Sequence, residues 1–358
     1  MKTIGLVLHP FKDTNSAGLG RSIYNLAREI IAQDTKNQYI IFTKGEKESP
    51  QFEGDNWRVI ALPEKPLWLD RYLYGYRNQL DAFVFFTPVA PLFWKPKRML
   101  VVVHDMGAWV LNARTLKHRI IQFVQKRTLK RATRIVAVSE TTKTNLTQFM
   151  PEVKGKISVV HNGFDAVVSG EASEVTEIQK PYFLFLGVLK SRKNPLGVVK
   201  AFEIFKKKTK GEHSLVFAGS YDPEGDVVRA VSESPYKDNI SMLGRVSDSE
   251  RSWLYKNAHA FVFPSLFEGF GLPILEAMSV GVPVITSEGG ATEEVSGGAA
   301  VLVDPKNSDD IAEGMSIVSN DEKKRAKHIE DGLEHVKTFS WRKAGGEYVT
   351  HINAVLHI

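Results

Sequence analysis

The sequence contains no cysteine, which excludes disulfide bonds, cysteine nucleophiles and thiolate metal sites. It has no apolar run close to the ~18 residues that a membrane-spanning helix needs. The N-terminal stretch MKTIGLVLHP has a single lysine and an apolar run too short for a signal peptide. Together these absences predict a cytoplasmic protein that does not cross a membrane.

Two further motifs are missing. Neither half of the chain has the Gly-x-Gly-x-x-Gly fingerprint of dinucleotide-binding proteins followed by a ribose-binding acid, which disfavours an oxidoreductase. Asp-x-Asp does not occur, nor does a cluster of carboxylates, histidines and cysteines at metal-binding spacing. We therefore expect no metal cofactor.

What is present is the composition of an ordinary soluble protein. The 358 residues are 43% hydrophobic and 25% charged, and such a length predicts two domains. Apolar runs of strand length alternate with helical patterns along the chain, which is typical of α/β domains with parallel sheets. A polar stretch rich in Ser and Glu, 166–180, is the predicted linker between residues 1–165 and 181–338.

Charge is distributed unequally. Residues 1–168 have 25 Lys/Arg against 14 Asp/Glu, and the remainder have 22 against 27. The excess is concentrated between Arg114 and Arg134, which contains eight basic residues and no acidic one. Such a surface suits an anionic membrane or a pyrophosphate-linked acceptor, and it also suits nucleic acid. We expect peripheral contact with an anionic membrane through Arg114 to Arg134 and no nucleic-acid partner.

The alternative for this segment is a solvated helix face with its apolar side in the protein core. Apolar residues do recur there at helical spacing: Leu116, Ile120, Ile121, Phe123, Val124 and Leu129.

The segment Val262 to Ser287, VFPSLFEGFGLPILEAMSVGVPVITS, has the layout strand, glycine loop, helix, strand. In a parallel sheet this places the loop and the helix N-terminus at the carboxyl ends of strands, where backbone N–H groups bind anions. Glu268 precedes the loop and Glu276 lies in the helix. The plain alternative is that Glu268 is a loop acid in water and that Glu276 points outward.

A second strand end has two adjacent cations. The strand Tyr182 to Leu186 leads into Gly187-Val188-Leu189-Lys190-Ser191-Arg192-Lys193-Asn194. Arg192 would bind a diphosphate bidentately and Lys193 would act as a point charge. A basic dipeptide in a loop is otherwise most often solvent-facing.

The string EGFGLPILEAM, followed by GVPVI, closely resembles the donor-site signature of the retaining glycosyltransferases of family 4. The resemblance implies an α/β fold of the GT-B type: two Rossmann-like, doubly wound parallel-sheet domains that face a cleft. It also implies that Glu276 binds the ribose hydroxyls of a nucleotide sugar and Glu268 the sugar hydroxyls, with Gly269, Phe270, Gly271 and Leu272 offering N–H groups to the sugar and phosphate.

The resemblance extends to other parts of the chain. AGLGR, with Gly18 and Gly20, is similar to the family's first glycine loop, and His104, at the end of an apolar strand, to a histidine that contacts the donor sugar. Gly187 belongs to the diphosphate loop, and Val246 to a segment that meets the nucleotide base. The helix in 339–358 would cross back onto the N-terminal domain.

The function implied is transfer of a hexose from a nucleoside-diphosphate sugar, without a metal, to a glycan or lipid-linked acceptor. Arg192 and Lys193 would take the place of the metal. The loop Gly-x-Leu-x-x-Arg-Lys-Asn resembles mannosyltransferases of surface polysaccharides, so GDP-mannose is the first donor to test. A UDP-sugar enzyme, a sugar-nucleotide epimerase or phosphorylase of the same fold, and a non-catalytic sugar-nucleotide-binding protein are the alternatives.

Overall fold

The computed structural model describes residues 1–11, 18–45, 50–111, 115–166, 173–176 and 178–357. They form two compact units, one made of Met1–Gly163 with Phe339–Ile358 and the other of Phe164–Thr338. The described residues of the predicted linker belong to the second unit. The rest of that linker, Ala17 of the glycine loop and Arg114 of the basic segment lie outside the described residues.

A parallel sheet forms the centre of the first unit. In its described part the sheet has seven strands in the order β3-β2-β1-β4-β5-β6-β7. Their bounds are β1 Thr3–Val7, β2 Gln38–Lys44, β3 Trp57–Leu62, β4 Ala82–Phe85, β5 Met99–Val103, β6 Arg134–Ala137 and β7 Ile157–Val159. The central strands β4 and β5 are buried along their whole length. This explains their unbroken apolar sequences, because helices cover both faces of a parallel sheet.

The helices of the first unit are α1 Leu19–Gln33, α2 Trp68–Arg71, α3 Gly107–Val110, α4 Leu116–Arg131, α5 Glu140–Phe149 and α13 Trp341–Leu356. The C-terminal helix α13 packs along α1. The two backbones approach so closely that a Cβ on Gly345 would lie 2.5 Å from Cβ of Glu29. The side-chain amide of Gln33 also donates to the carbonyl of Arg342 at 2.8 Å. The last helix of the chain is thus part of the unit that contains its first strand.

The second unit is built on a similar plan. Its described strands form one parallel sheet in the order β10-β9-β8-β11-β12-β13. They are β8 Tyr182–Leu186, β9 Ser214–Ala218, β10 Ile240–Gly244, β11 Ala260–Phe263, β12 Val284–Ser287 and β13 Val301–Val303. The helices are α6 Pro195–Thr209, α7 Asp226–Glu233, α8 Asp248–Asn257, α9 Leu272–Ser279, α10 Gly290–Ser296, α11 Ser308–Asn320 and α12 Glu322–His335.

Both strand orders are doubly wound, which confirms the predicted fold class. In the second unit the strand order reverses between β8 and β11, which pair in parallel. Loops that leave neighbouring strands at such a switch point diverge and open a crevice at the carboxyl edge of the sheet. Both predicted motif loops, the one after β8 and the one after β11, start at this crevice. No helix in the described part of the chain is long and apolar enough to span a bilayer.

Candidate functional site

The loop after β8 and the loop after β11 are joined by their backbones. The amide of Leu266 donates to the carbonyl of Arg192 at 2.8 Å. The Arg192 guanidinium in turn donates to the carbonyl of Phe267 at 3.1 Å. The two motifs, 75 residues apart in sequence, therefore form one site.

Glu268 lies between the two predicted cations. Its Oε2 is 3.1 Å from Nη1 of Arg192, and its Oε1 is 3.0 Å from Nζ of Lys193. Only 11% of the carboxylate side chain is exposed, so the alternative of a loop acid in water is wrong. The role of Glu268 toward sugar hydroxyls stays a prediction.

Lys193 is the more enclosed of the two cations, with 13% of its side chain exposed. Its ammonium lies 4.3 Å from the centre of the Phe263 ring, over the ring face. Burial lowers the pKa of Lys193, and the Glu268 carboxylate opposes that shift. A partly desolvated ammonium interacts more strongly with an anion than a hydrated one does.

Gly187 leaves room for the end of the Lys193 side chain. Its φ of +141° is in a region that side chains rarely adopt, and a Cβ there would lie 3.4 Å from both Cε and Nζ of Lys193. Directly beyond β9, Gly219 has a φ of +137°, and its Cβ would be 2.1 Å from the Gly187 carbonyl oxygen. At Gly187 and Gly219 the site is therefore lined by main-chain atoms, which a ligand could approach closely.

The glycine loop after β11 leads into a helix N-terminus, as predicted. Gly271 is the N-cap of α9 with a φ of +114°, and Pro273 lies in the first turn. Gly269 and Phe270 are buried, and Leu272 is the first helical residue. Within that turn Pro273 has no N–H and the amide of Ile274 donates to the Gly271 carbonyl at 3.0 Å, so the anion-attracting feature of this end is the positive pole of the helix dipole with the amide of Leu272.

Glu276 is also shielded from water, with 14% of its side chain exposed, so the outward orientation is wrong. The hydroxyl of Tyr255 donates to its Oε2 at 3.0 Å, and Nη1 of Arg251 is 3.6 Å from its Oε1. Burial raises the pKa of Tyr255, and the nearby Glu276 carboxylate raises it further, so the phenol remains a donor. The carboxylate is held by two groups of α8.

Arg251 and Tyr255 were not among the site residues predicted from the sequence. They lie four residues apart and therefore on one face of α8. That helix starts with a capping box between Ser247 and Glu250, directly after the loop of Val246. One signal in the sequence could have identified them: a basic and a hydroxyl side chain four residues apart, in the helix that follows the predicted nucleotide loop. The structure places Val246 in that loop, next to Gly244, which accepts a hydrogen bond from the amide of Gly219 at 2.7 Å.

Three predicted residues belong to the first unit. Gly18 is the N-cap of α1, with a φ of +61°, and Gly20 is buried in the first turn. His104 directly follows β5, and burial lowers its pKa to about 4, although Asp105 and a hydrogen bond to the Phe86 backbone act in the opposite direction. Its Nε2 is buried with no hydrogen-bond partner among the described residues. A neutral imidazole there offers an acceptor to a hydroxyl group.

The described residues include no group of three or more His, Cys, Asp or Glu side chains arranged to hold a metal ion. In the second unit the site combines two cations, a helix N-terminus and two oriented carboxylates. This arrangement suits a diphosphate that carries hydroxyl-bearing groups at its two ends.

Two family models match the chain, and together they span most of it. Residues 16–167 match the model described as glycosyltransferase family 4. Residues 170–335 match the model described as glycosyl transferases group 1. The boundary between the two matches falls within the predicted linker.

One similar relative is the O-antigen chain mannosyltransferase B of Escherichia coli, 29% identical over 316 residues that cover 83% of each chain. Among solved structures, sucrose-phosphate synthase from Thermosynechococcus elongatus aligns over 100% of both chains with a TM-score of 0.77 and 17% identity. Anabaena HepE in complex with UDP-glucose aligns over 99% of this chain and 100% of that one, with a TM-score of 0.75 and 14% identity. At such identities the structures show a shared fold.

Proposed function

Because the chain belongs to the family 4 glycosyltransferases and has their GT-B fold, we propose that it transfers a hexose from a nucleoside-diphosphate sugar with retention of configuration. The acceptor is a glycan or a lipid-linked glycan of cell-surface polysaccharide synthesis. The observation that carries the proposal is the cluster of Arg192, Glu268 and Lys193 at the switch point of the second sheet.

In this proposal the diphosphate binds where the two cations and the first turn of α9 converge. Arg192 and Lys193 meet the phosphate oxygens, and Gly187 lets the ligand approach the backbone. The N–H groups of Gly269 to Leu272 reach the sugar and the phosphate. What supports the assignment is that both cations pair with one carboxylate that is itself shielded from water, which holds them side by side at the strand ends.

The two carboxylates divide the hydroxyl groups of the donor between them. Glu276, held by Tyr255 and Arg251, accepts hydrogen bonds from the ribose, and the backbone near Val246 meets the base. Glu268 accepts from hydroxyls of the transferred sugar. The roles that the resemblance implies for His104, Gly18 and Gly20 remain predictions.

Retention follows from the course of the proposed reaction. The bond between the sugar C1 and the diphosphate oxygen breaks as the acceptor oxygen bonds to C1 on the same face. The acceptor proton passes to the departing phosphate oxygen, so no side-chain base is required. Charge that develops on the diphosphate is stabilised by cations that are already in place.

Mannose is the hexose that we propose first, because the Escherichia coli relative is named a mannosyltransferase. The HepE complex with UDP-glucose makes a UDP-sugar the alternative donor. A thermal-shift panel of GDP, UDP and ADP sugars tests the choice, since a ligand at 100 times its Kd adds ~2.7 kcal/mol of stability.

The activity itself is tested by transfer of radiolabelled mannose from GDP-mannose to a lipid extract or a glycan, with the anomer of the product read by NMR. An inverted product would contradict the mechanism. Release or isomerisation of the sugar without any acceptor would indicate an epimerase or a phosphorylase instead. Donor binding with no turnover of any acceptor would indicate a binding protein.

We expect transfer to survive chelation. Two cations already face the proposed phosphate position, so EDTA should leave the initial rate unchanged within about twofold. The measurement compares rates in EDTA with rates after addition of Mg²⁺ or Mn²⁺. A loss of about tenfold that either metal restores would refute metal independence.

The proposal also places the protein at the inner face of the cell membrane, in peripheral contact through the basic segment 114–134. The structure changes which of its residues are available for this. Arg127 and Arg131 donate to backbone carbonyls of residues 91–94, and Lys130 pairs with Glu152 at 3.0 Å. The described basic residues on the exposed surface of α4 without such a role are Lys117, Arg119 and Lys126.

A further inference from the structure

The helix α4 exposes its apolar residues. Leu116, Ile120 and Phe123 follow one another at spacings of four and three residues, so they form a single stripe, called here the α4 ridge. Their exposed fractions are 74%, 55% and 62%. Only Thr128 and Leu129 of α4 are buried. The alternative of an apolar side in the core is therefore wrong for Leu116, Ile120 and Phe123, while Ile121 and Val124 are half-buried.

The ridge is extended at its C-terminal end by the loop 91–94. Arg127 lies one turn beyond Phe123 on the same stripe, and its Nε and Nη2 donate to the Leu92 carbonyl at 3.0 and 2.9 Å. The amide of the next residue, Phe93, donates to a carboxylate oxygen of Asp70 at 2.7 Å. Phe93 itself is 77% exposed. The arginine thus ties the backbone next to Phe93, a second exposed aromatic residue, to the helix that carries the ridge.

On its other side, α4 is joined to α3 by two side-chain hydrogen bonds. The indole N–H of Trp109 donates to Gln125 at 2.8 Å, and the side-chain amide of Gln122 donates to the Ala108 carbonyl at 2.7 Å. These bonds hold α3 against α4. Two more exposed apolar residues, Val110 and Leu111, lie at the end of α3. The apolar surface is therefore built from three segments that hydrogen bonds join to one another.

The charge around this surface is mainly positive, although Asp70 contacts the Phe93 amide and Glu152 pairs with Lys130. Between Asp81 and Glu140 the sequence has a single acid, Asp105, and many basic residues. On the helix, Lys117, Arg119 and Lys126 are placed within about 100° of the ridge and on both sides of it. An exposed apolar stripe with flanking cations is the pattern of a helix that lies in the interface of an anionic bilayer. A soluble polyanion such as RNA would use the cations and leave the apolar residues in water.

We propose that the α4 ridge and Phe93 insert into the headgroup and acyl boundary of an anionic membrane, so that the first unit is held by apolar burial and not by charge alone. This rests on the membrane contact in the proposed function and specifies its kind. The first unit would then contact a lipid-linked acceptor at the depth of the lipid headgroups.

The cysteine-free chain allows a direct measurement of depth. The variant Phe123→Cys is labelled with an environment-sensitive fluorophore, and Leu333→Cys on α12 of the second unit, also an exposed leucine, is the matched control. With vesicles of phosphatidylcholine and phosphatidylglycerol, the label at 123 should shift to the blue and be quenched by nitroxides on the lipid acyl chains. The label at 333 should show neither change.

Vesicle sedimentation of the unlabelled full chain separates the two contributions. At high salt, where the Debye length falls to about 3 Å at 1 M, charge attraction fades while apolar burial persists. The wild type should keep a salt-resistant bound fraction. Ile120→Ser with Phe123→Ser should lower its partition coefficient about tenfold or more, and Leu333→Ser should not. Lys117→Glu with Arg119→Glu and Lys126→Glu should lower binding mainly at low salt.

The possible failures are distinguishable. If the chain sediments with anionic vesicles while the label at 123 remains in water, the ridge does not insert, and the peripheral contact stands on charge alone. If the wild type ignores anionic vesicles at low salt, both the contact and the insertion are overturned, while hexose transfer remains measurable in solution. A label shift with RNA and none with vesicles would make nucleic acid the partner. Thermal shifts with the sugar nucleotide confirm that each variant is folded.

Discussion

Replacement of Lys193 with alanine should lower kcat by about 10²- to 10³-fold and weaken donor binding much less. The reason is that the charge on the diphosphate is largest in the transition state, so a cation aimed at it contributes most there. Removal of one such group typically costs ~2.7–4 kcal/mol of transition-state stabilisation. Lys193 should show the full effect because it is mostly buried, over the Phe263 ring.

Steady-state rates and donor Kd values, measured together, check this prediction. Lys190→Ala is the matched control, because Lys190 lies in the same loop with an exposed side chain. Arg192→Ala should lower turnover less than Lys193→Ala, since Arg192 is more exposed, at 31%. If both Lys193→Ala and Arg192→Ala left kcat within about threefold of the wild type, the leaving-group assignment would be wrong.

The second large effect is expected from Glu268→Gln. The variant keeps the shape of the side chain but removes the carboxylate that pairs with Arg192 and Lys193. A hydrogen bond to a charged group is worth about 1.5–3 kcal/mol, so kcat at neutral pH should fall about 10- to 150-fold. Part of that loss comes from the missing contact with sugar hydroxyls, and part comes from the lower pKa of Lys193 when the carboxylate is absent.

The pH profile separates these two parts. Burial lowers the pKa of Lys193, and the Glu268 carboxylate offsets part of that decrease. Loss of the carboxylate therefore lowers the pKa of Lys193 further. Lys193 acts as a cation, which means that activity is lost as the pH rises through its pKa. The alkaline limb of the kcat profile should therefore move to lower pH in Glu268→Gln.

Glu288→Gln is the control for the pH profile, because Glu288 is an exposed carboxylate in the next strand-to-helix loop. Its profile should match that of the wild type. An alkaline limb at the same pH in Glu268→Gln and wild type would show that Glu268 does not support the charge of Lys193.

Most strands of the molecule were predictable from sequence. The strand β8, for example, has the bounds Tyr182–Leu186 that its apolar run predicted. The strand β12 is Val284–Ser287, and the carbonyl of Pro283 just before it accepts a hydrogen bond from the amide of Phe261 in β11. Strands that are buried on both faces have continuous apolar sequences, so they can be recognised from the amino-acid sequence alone.

The candidate site was predictable as loops and not as contacts. The strand-end positions of Arg192, Lys193 and Glu268 were clear from sequence, but their mutual ion pairs were not. The partners of Glu276, Arg251 and Tyr255, were missed because they come from α8, a helix with no motif of its own. The partner of a buried carboxylate depends on which helix packs beside it.

The sequence by itself determined the two α/β domains with parallel sheets, the loops that meet at the carboxyl edge of the second sheet, and the basic character of residues 114–134. These properties depend on local periodicity and on the order of strands and helices, both of which are written along the chain. Only the tertiary structure decided that Glu268 joins both cations and that the α4 ridge is exposed. An apolar stripe has the same spacing whether it faces a core or a membrane, and only the packing of the other segments distinguishes the two.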